Sequence, residues 1–168
     1  MKNIYLIGFM ATGKSTVGRL LARRLGREFV DLDRYIEEKA GKKIADIFAL
    51  CGEGFFRSLE KRILSEVSGR GGIIVACGGG IVTDGDNIAV MKRTGTIVCL
   101  TASVEEILKR VKDPSSRPLL CAQDRKEKVE TLLGKRREQY ACADASIDTT
   151  GLSPDEVAAA AAGIVAEK

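Results

Sequence analysis

The segment with the clearest chemistry is the octapeptide GFMATGKS at positions 8–15, which matches the pattern G-x-x-x-x-G-K-[ST]. In such a segment, backbone N–H groups and the start of the following helix surround phosphate oxygens. Lys14 would neutralise the β- and γ-phosphates, and the Ser15 hydroxyl would bind the Mg²⁺ ion that bridges them. Because an apolar run precedes the segment and a helical pattern follows it, we predict a nucleoside triphosphate site and not an ordinary tight turn.

Two carboxylates, Asp31 and Asp33, follow a short apolar segment at the end of the second predicted strand. The ends of strands in such sheets face the ligand crevice. Phosphoryl transfer has two tasks for carboxylates there, which are to support Mg²⁺ through water and to accept the proton of an acceptor hydroxyl. Solvated acids or a helix N-cap remain the alternative for both residues.

Arg57 and Glu60 lie three residues apart and therefore share one face of a predicted helix, where Glu60 would orient the Arg57 guanidinium. An ordinary surface ion pair is the alternative. Further along, the apolar segment 73–77 runs directly into the glycine segment 78–80. Three glycines weaken the end of a strand unless the backbone must approach something closely, and a ligand is the reason we expect.

Short apolar segments alternate with helical patterns along the whole chain. Strands are predicted at 4–7, 29–30, 73–76, 96–100 and 145–147. Helices are predicted at 16–25, 34–40, 54–68, 87–93, 103–111 and 126–140, and a last helix after Ser153. Ser103 and Glu106 have the spacing of a capping box. This order predicts an α/β fold of three layers, with a five-stranded parallel sheet between helices, and a single domain over 1–168.

The composition excludes several classes of function. The chain has 168 residues and no histidine, which excludes hydrolytic triads that need imidazole and zinc sites with histidine ligands. Tryptophan is absent and the basic residues are interspersed with acids to a net charge of +4, so we expect no nucleic-acid partner. The five cysteines form no C-x-x-C pair, and neither a signal peptide nor a membrane span is recognisable. We therefore expect a cytoplasmic monomer without a membrane partner.

One segment, 112–124, lacks helical periodicity and contains DPSSRP at 113–118. A polar loop of about a dozen residues inside a compact domain is usually either a functional lid or a disordered segment. We interpret it as a mobile lid. Pro118 biases the backbone of the preceding Arg117 toward an extended conformation.

Taken in order over residues 3–150, these motifs resemble those of the shikimate kinase family. The matching segments are the octapeptide at 8–15, DLD at 31–33, FRSLE at 56–60, GGG at 78–80, RPLL at 117–120, and Arg136 four residues before Tyr140. The resemblance implies a P-loop kinase fold similar to that of nucleoside-monophosphate kinases. It also implies transfer of the γ-phosphoryl group of MgATP to the 3-hydroxyl of shikimate, in the biosynthesis of chorismate and aromatic amino acids.

For the acceptor, the resemblance implies a binding region at about 33–60. Arg57 and Arg136 would hold the substrate carboxylate, and Asp33 would bind the acceptor hydroxyls and take the proton. Asp33, Lys14 and Arg117 make the predicted catalytic set. The backbone of the glycine segment would complete the shikimate site with Gly78, Gly79 and Gly80. An apolar wall is implied at Phe48, Phe56 and Leu119, with core packing as the alternative for Phe48.

For the nucleotide, the resemblance implies a set of residues along the octapeptide and two arginines. The predicted ATP-binding residues are Ala11, Thr12, Gly13, Lys14, Ser15, Thr16, Arg110 and Arg117. Mg²⁺ is the implied cofactor, bound by Ser15 and supported by Asp31. Two positions depart from the family pattern. Ala11 stands where many relatives have glycine, which requires either a negative φ or local strain, and segment 148–152 lacks the basic residue that some relatives have near the adenine.

Two other functions compete with this interpretation. The acceptor could be gluconate, a nucleotide or another hydroxylated small molecule, although two arginines and one acid favour a polyol that carries a carboxylate. The chain could also be an inactive nucleotide-binding module, which would be expected to have lost Lys14, Asp33 or Arg117, and all three are present.

Overall fold

The computed structural model describes residues 1–111 and 125–166. The strands are β1 Asn3–Ile7, β2 Phe29–Asp31, β3 Ile74–Ala76, β4 Gly95–Thr101 and β5 Ala145–Asp148. They form one parallel sheet in the order β2-β3-β1-β4-β5. Each strand begins and ends within one residue of its predicted position, so the predicted five-stranded parallel sheet is confirmed.

One or two helices follow each strand. In the described part of the chain they are α1 Lys14–Leu25, α2 Leu32–Ala40, α3 Ile44–Ser68, α4 Gly85–Thr94, α5 Val104–Arg110, α6 Arg125–Tyr140 and α7 Pro154–Ala166. A short 3-10 helix at Ile81–Thr83 follows the glycine segment. α3 consists of two helical segments that meet at a kink at Gly52, where φ is 79° and ψ is 171°. The second segment matches the helix predicted at 54–68, whereas the first, which begins at Ile44, was not predicted.

Different helices cover the two faces of the sheet, as the alternation along β1 illustrates. Ile4 and Leu6 point to one face, where α1 and α7 pack against them. Tyr5 and Ile7 point to the other face, where side chains of α2, α3, α4 and α6 form the larger core. All four β1 side chains are fully buried, as expected for a parallel sheet with helices on both sides. None of the helices described is long and apolar enough to cross a membrane.

A buried polar network ties the ends of two helices to the amino edge of the sheet. The Asn3 side-chain amide donates to the Tyr5 hydroxyl at 3.0 Å and to the Ser68 carbonyl at 2.9 Å. The Tyr5 hydroxyl donates to Ser68 Oγ at 2.9 Å and lies 2.7 Å from Thr94 Oγ1. Ser68 ends α3 and Thr94 ends α4, so this network anchors the helix that carries Arg57.

Only one of the two hydrogen bonds of the predicted capping box at Ser103 is present. Ser103 Oγ accepts from the Glu106 backbone N–H at 3.1 Å, but the Glu106 carboxylate pairs with Arg110 at 2.8 Å instead of returning to Ser103. The Ser103 backbone N–H donates to Thr150 Oγ1. A full box forms at the start of α7, where Ser153 and Glu156 bond each other in both directions.

The connections that leave the carboxyl ends of the strands meet at one edge of the sheet. They are the phosphate loop after β1, Asp33 after β2, the glycine segment after β3, α5 after β4, and Thr149 after β5. In an open parallel sheet this edge is where ligands bind. The fold therefore brings the predicted site segments to one place.

Candidate active site

The phosphate loop joins β1 to α1, which begins at Lys14. The Lys14 ammonium donates to the carbonyl oxygens of Gly8, at 2.9 Å, and Phe9, at 2.7 Å. The Thr12 hydroxyl donates to the same Phe9 carbonyl at 2.9 Å. These bonds keep the loop curved and place the Lys14 charge beside the first turn of α1, where backbone N–H groups favour anions.

Asp31 and Asp33 both line the cavity that Lys14 lines. The Asp31 carboxylate accepts from the Arg34 backbone N–H at 3.4 Å and so also caps α2. The helix-cap alternative therefore applies to Asp31, but the carboxylate still reaches the cavity. Asp33 lies in the first turn of α2 and faces the glycine segment: a Cβ atom on Gly78 would be 2.8 Å from Asp33 Oδ1.

The glycine segment is approached closely by charged side chains. A Cβ atom on Gly78 would lie 3.0 Å from Glu60 Oε1 as well as against Asp33, and a Cβ atom on Gly80 would lie 2.5 Å from Arg57 Nη2. Real Cβ atoms essentially never come that near to heavy atoms of other residues. The sequence predicted a ligand as the reason for these glycines. The structure shows that two of them, Gly78 and Gly80, also leave room for charged side chains of the protein itself.

Arg57 and Glu60 form an ion pair beside Gly80. Arg57 Nη1 donates to Glu60 Oε2 at 2.8 Å, and the Glu60 side chain is 1% exposed. Burial raises the pKa of the Glu60 carboxyl above its ordinary value, while the charge of Arg57 opposes that shift. Burial alone would lower the pKa of Arg57, but Glu60 and Glu53 together raise it. The predicted contact is confirmed, and the burial of one partner distinguishes it from an ordinary surface pair.

Arg136 and Tyr140 reach the same segment from α6. Arg136 Nη1 donates to the Gly79 carbonyl at 3.3 Å, and the Tyr140 hydroxyl donates to it at 2.8 Å. The Arg136 guanidinium also lies over the Phe9 ring, 5.9 Å from its centroid. Burial raises the pKa of Tyr140 to about 12, so its hydroxyl stays protonated and remains a donor at neutral pH.

Arg110 closes the other side of the cavity, at the end of α5. Its Nε donates to Glu106 at 2.8 Å, and its Nη atoms donate to Thr149 Oγ1 at 2.9 Å and to the Thr149 carbonyl at 2.8 Å. A longer contact of 3.4 Å joins Arg110 Nη1 to the Ala11 carbonyl in the phosphate loop. Arg110 therefore connects the ends of α5 and β5 with the loop.

These groups enclose a cavity of about 390 Å³. Its lining consists of Met10, Ala11, Gly13, Lys14, Ser15, Thr16, Asp31, Asp33, Ala76, Cys77, Gly79, Arg110 and Val111. Four more residues lie next to the cavity, beside Asp33 and Gly79: Arg57, Gly78, Gly80 and Arg136. One end of the cavity thus has a phosphate loop with a lysine, and the other has the Asp33 carboxylate, beyond which two arginines lie.

A sequence profile of the shikimate kinase family matches residues 10–165 of this chain. The chain belongs to the shikimate kinase family. The shikimate kinase of Persephonella marina is 47% identical over 157 residues, which span 94% of each protein. That of Geobacter sulfurreducens is 46% identical over 166 residues, which span 99% of this chain and 92% of the relative.

The comparison with solved structures agrees with this family. The structure of shikimate kinase from Acinetobacter baumannii in complex with shikimate is 38% identical and superposes with a TM-score of 0.95. The match covers 99% of this chain and 94% of that one. The predicted P-loop kinase fold and the predicted family are both confirmed.

Most of the residues that the family pattern predicts for the nucleotide surround the cavity. Ala11, Gly13, Lys14, Ser15, Thr16 and Arg110 line it, whereas the Thr12 side chain is buried inside the loop. Asp33 and Gly79 line it from the acceptor side. Arg117, Leu119 and the predicted lid at 112–124 lie outside the described residues, so their roles in this shikimate kinase stay predictions.

Two residues that contact the site of this family member received no role from the sequence. Tyr140 lies four residues after Arg136, a spacing that places both on one face of α6 and could have indicated the shared contact with Gly79. Thr149 follows β5 at the edge of the sheet where ligands bind, and this position was the only sign in the sequence of a role at the site. Its burial and its bonds to Arg110 depend on how the chain packs around it.

The predicted apolar wall is only partly separate from the core. The rings of Phe48 and Phe56 lie 4.8 Å apart between centroids. Phe56 is 4% exposed and belongs to the core, and Phe48 packs against that core from a partly exposed position. Core packing, the alternative for Phe48, is therefore confirmed, and the apolar wall stays a prediction.

Ala11 departs from the family pattern at a cost in backbone strain. Its φ is 61°, and among the described residues no other non-glycine residue has a positive φ. A left-handed conformation costs a residue with a Cβ atom about 1–2 kcal/mol. The structure thus decides between the two possibilities that the sequence left open, in favour of strain.

We expect Ala11→Gly to raise the free energy of unfolding by about 0.5–1 kcal/mol, because relief of the strain exceeds the added backbone entropy of glycine. Urea unfolding monitored by circular dichroism would measure the change. Ala159→Gly, at an exposed position within α7, is the matched control and should lower the free energy of unfolding by about 0.5–1 kcal/mol. If Ala11→Gly lowered the free energy of unfolding as much as the control does, the backbone at Ala11 would not be strained.

Proposed function

We propose that this protein transfers the γ-phosphoryl group of ATP to the 3-hydroxyl of shikimate, giving shikimate 3-phosphate and ADP. The observation that carries the proposal is the shared cavity, in which Lys14 of the phosphate loop and Asp33 face the same space. Donor and acceptor bound at its two ends would be held side by side. Positioning of this kind provides much of the rate enhancement in phosphoryl transfer.

The phosphate loop would hold the triphosphate by charge and by backbone donors. Lys14 now bonds two loop carbonyls at 2.7–2.9 Å, so its ammonium is already ordered where the β- and γ-phosphates would lie. The first-turn N–H groups of α1 add donors that need no reorganisation. We assign Gly13, Ser15 and Thr16 to the same phosphates because they line the cavity beside Lys14.

Ser15 and Asp31 fit a Mg²⁺ ion that arrives with the nucleotide. Both present hard oxygen atoms to the cavity, the type of ligand that Mg²⁺ prefers. The described residues contain no cluster of three acidic, cysteine or histidine side chains that could hold a metal by itself. Phosphate oxygens and water would therefore complete the coordination, and the ion would supply positive charge to the β- and γ-phosphates.

We assign residues 33–60 as the acceptor-binding region, with Asp33 and Arg57 near its two ends. Arg57 and Arg136 would hold the shikimate carboxylate through their planar guanidinium groups, a geometry that lysine does not offer. The glycine segment would let the ring approach the backbone. Asp33 would orient the 3-hydroxyl toward the γ-phosphate and accept its proton as the new P–O bond forms.

We propose a monomeric enzyme with a single domain over 1–168, because the described residues given roles gather at one edge of one sheet. Cys51, Cys77, Cys99 and Cys142 are free thiols, which suits a reducing cytoplasm. Burial raises the pKa of Cys99 to about 11 and also raises the pKa of Cys77. Neither thiol would be a nucleophile at neutral pH.

Release of ADP by the purified protein tests the reaction directly. With MgATP, we expect rapid release that depends on added shikimate, because the acceptor hydroxyl completes the site. Quinate and gluconate serve as comparison acceptors, and excess EDTA should abolish release if Mg²⁺ is required. ADP release with gluconate alone would mean that the protein phosphorylates another acceptor. No ADP release with any of the three acceptors would favour a nucleotide-binding module without kinase activity.

Arg57→Ala and Arg136→Ala should each raise the KM for shikimate about 10- to 100-fold, because each removes charged hydrogen bonds of about 1.5–3 kcal/mol. The KM for ATP should stay within about twofold, since neither side chain lines the nucleotide end. Steady-state kinetics with each substrate varied would separate the two constants. Arg137→Ala removes an exposed neighbouring charge and should leave both constants unchanged. An unchanged KM for shikimate in the first two variants would refute the assigned carboxylate site.

Asp33→Asn should lower kcat about 10²- to 10⁴-fold, because the amide cannot accept the hydroxyl proton. Asp46→Asn removes an exposed carboxylate from the same region without reaching the cavity, and should retain full activity. Single-turnover measurements of phosphoryl transfer would isolate the chemical step. A loss in kcat smaller than tenfold would mean that Asp33 orients the hydroxyl but is not needed as a base.

A further inference from the structure

A second glutamate occupies the edge of Arg57 that a carboxylate ligand would use. Glu53 Oε1 accepts hydrogen bonds from Arg57 Nε at 3.3 Å and from Nη2 at 3.1 Å. These two nitrogens form one side of the guanidinium fork, the geometry in which arginine binds carboxylates in bidentate pairs. Glu53 therefore makes the contact that the carboxylate of an incoming substrate would have to make.

The other groups around Arg57 leave few alternative edges. Nη1 is bonded to the buried Glu60 carboxylate at 2.8 Å. Nη1 and Nη2 pack so closely on Gly80 that a Cβ atom there would lie within 2.7 Å of both. The side with Nε and Nη2 is thus the side on which a ligand could be received, and Glu53 covers it.

The charges around Arg57 lead to the same conclusion. The Arg57 guanidinium forms ion pairs with two carboxylates, so the group of Arg57, Glu53 and Glu60 has a net charge of −1. A third carboxylate at Arg57 would be repelled unless one of the two withdrew. The Glu53 side chain is 66% exposed and the Glu60 side chain is 1% exposed, so Glu53 is the one that can move into water.

The backbone beside Glu53 is suited to that movement. Gly52 has φ 79° and ψ 171°, so the regular helix of α3 is interrupted immediately before Glu53. An exposed ion pair contributes little stability, which keeps its displacement inexpensive. Glu60 stays in place and continues to orient Arg57 when Glu53 leaves.

We propose that Glu53 is an internal competitor for the substrate carboxylate, which occupies the Arg57 fork until a carboxylate ligand displaces it. This inference rests on the proposed function of Arg57 as a carboxylate-binding residue. Glu53 is a specificity-determining residue in this scheme. Ligands that carry a carboxylate replace the lost contact with Arg57, whereas neutral polyols of the same shape cannot, so the contact discriminates against them.

Removal of the competing contact should strengthen substrate binding. We expect Glu53→Gln to lower the KM for shikimate two- to fivefold, which corresponds to about 0.4–1 kcal/mol at 1.4 kcal/mol per tenfold. Only the KM for shikimate should change, and kcat and the KM for ATP should stay the same. Titration calorimetry with shikimate in the absence of nucleotide should show the same change in Kd.

Two further variants separate the contact from the general effect of charge. Glu53→Asp keeps the negative charge but shortens the side chain by one methylene group, so it should lower the KM for shikimate almost as much as Glu53→Gln. Glu38→Gln removes an exposed negative charge from α2 in the same region and should leave the KM unchanged. A lower KM in Glu38→Gln as well, with no change in Glu53→Asp, would reduce the effect to bulk charge and overturn the proposal.

An unchanged or higher KM for shikimate in both Glu53 variants would also overturn the proposal, because Glu53 would then only hold Arg57 in place for the substrate. The parent protein distinguishes this failure from failure of the proposed function. If the parent releases ADP in response to shikimate, the function stands and only the competitor role is lost. If it does not, the proposed function fails, and the Kd values for shikimate from calorimetry still decide the role of Glu53.

Discussion

The missing side chains at Gly78 and Gly80 give room to charged residues where three helices meet at the end of β3. Asp33 comes from α2, Arg57 and Glu60 come from α3, and Arg136 comes from α6, and each contacts or nearly contacts this short piece of backbone. A single Cβ atom at Gly78 or Gly80 would collide with them. With side chains at Gly78 or Gly80, the ends of Asp33, Glu60 or Arg57 would have to shift from their present positions. The rest of the acceptor side is organised around this constraint.

The charges collected there are interdependent. The pKa of Glu60 is raised by burial and by the nearby Asp33 carboxylate, and it is lowered by Arg57 and Arg136. A change in any one of these groups therefore alters the protonation equilibrium of another. Loss of an arginine removes a contact to substrate and also leaves a buried carboxylate with less compensation. The site is better described as one electrostatic unit than as a set of separate binding contacts.

The sequence was sufficient for those features that depend on local pattern. The octapeptide at 8–15, the order of strands and helices, and the spacing of Arg57 and Glu60 each follow from residues close together in the chain. The features it did not reveal depend on residues far apart. Nothing local shows that Glu106 prefers Arg110 to the Ser103 cap, or that the acceptor shared by Arg136 and Tyr140 is the Gly79 carbonyl. For Ala11 the sequence named the two possible conformations, and the packed loop selects the strained one.

The buried network of Asn3, Tyr5, Ser68 and Thr94 lies at the opposite edge of the sheet from the cavity. The length of β1 separates the two edges by about 16 Å, at about 3.3 Å per residue, and effects of substitutions this far apart usually add. One end of the sheet holds the helices in place and the other performs the chemistry. The two edges are nevertheless joined by α3, which ends in the network at Ser68 and carries Arg57 at the cavity. The amino edge thus serves the acceptor site at a distance, by fixing the far end of the helix that supplies one of its charges.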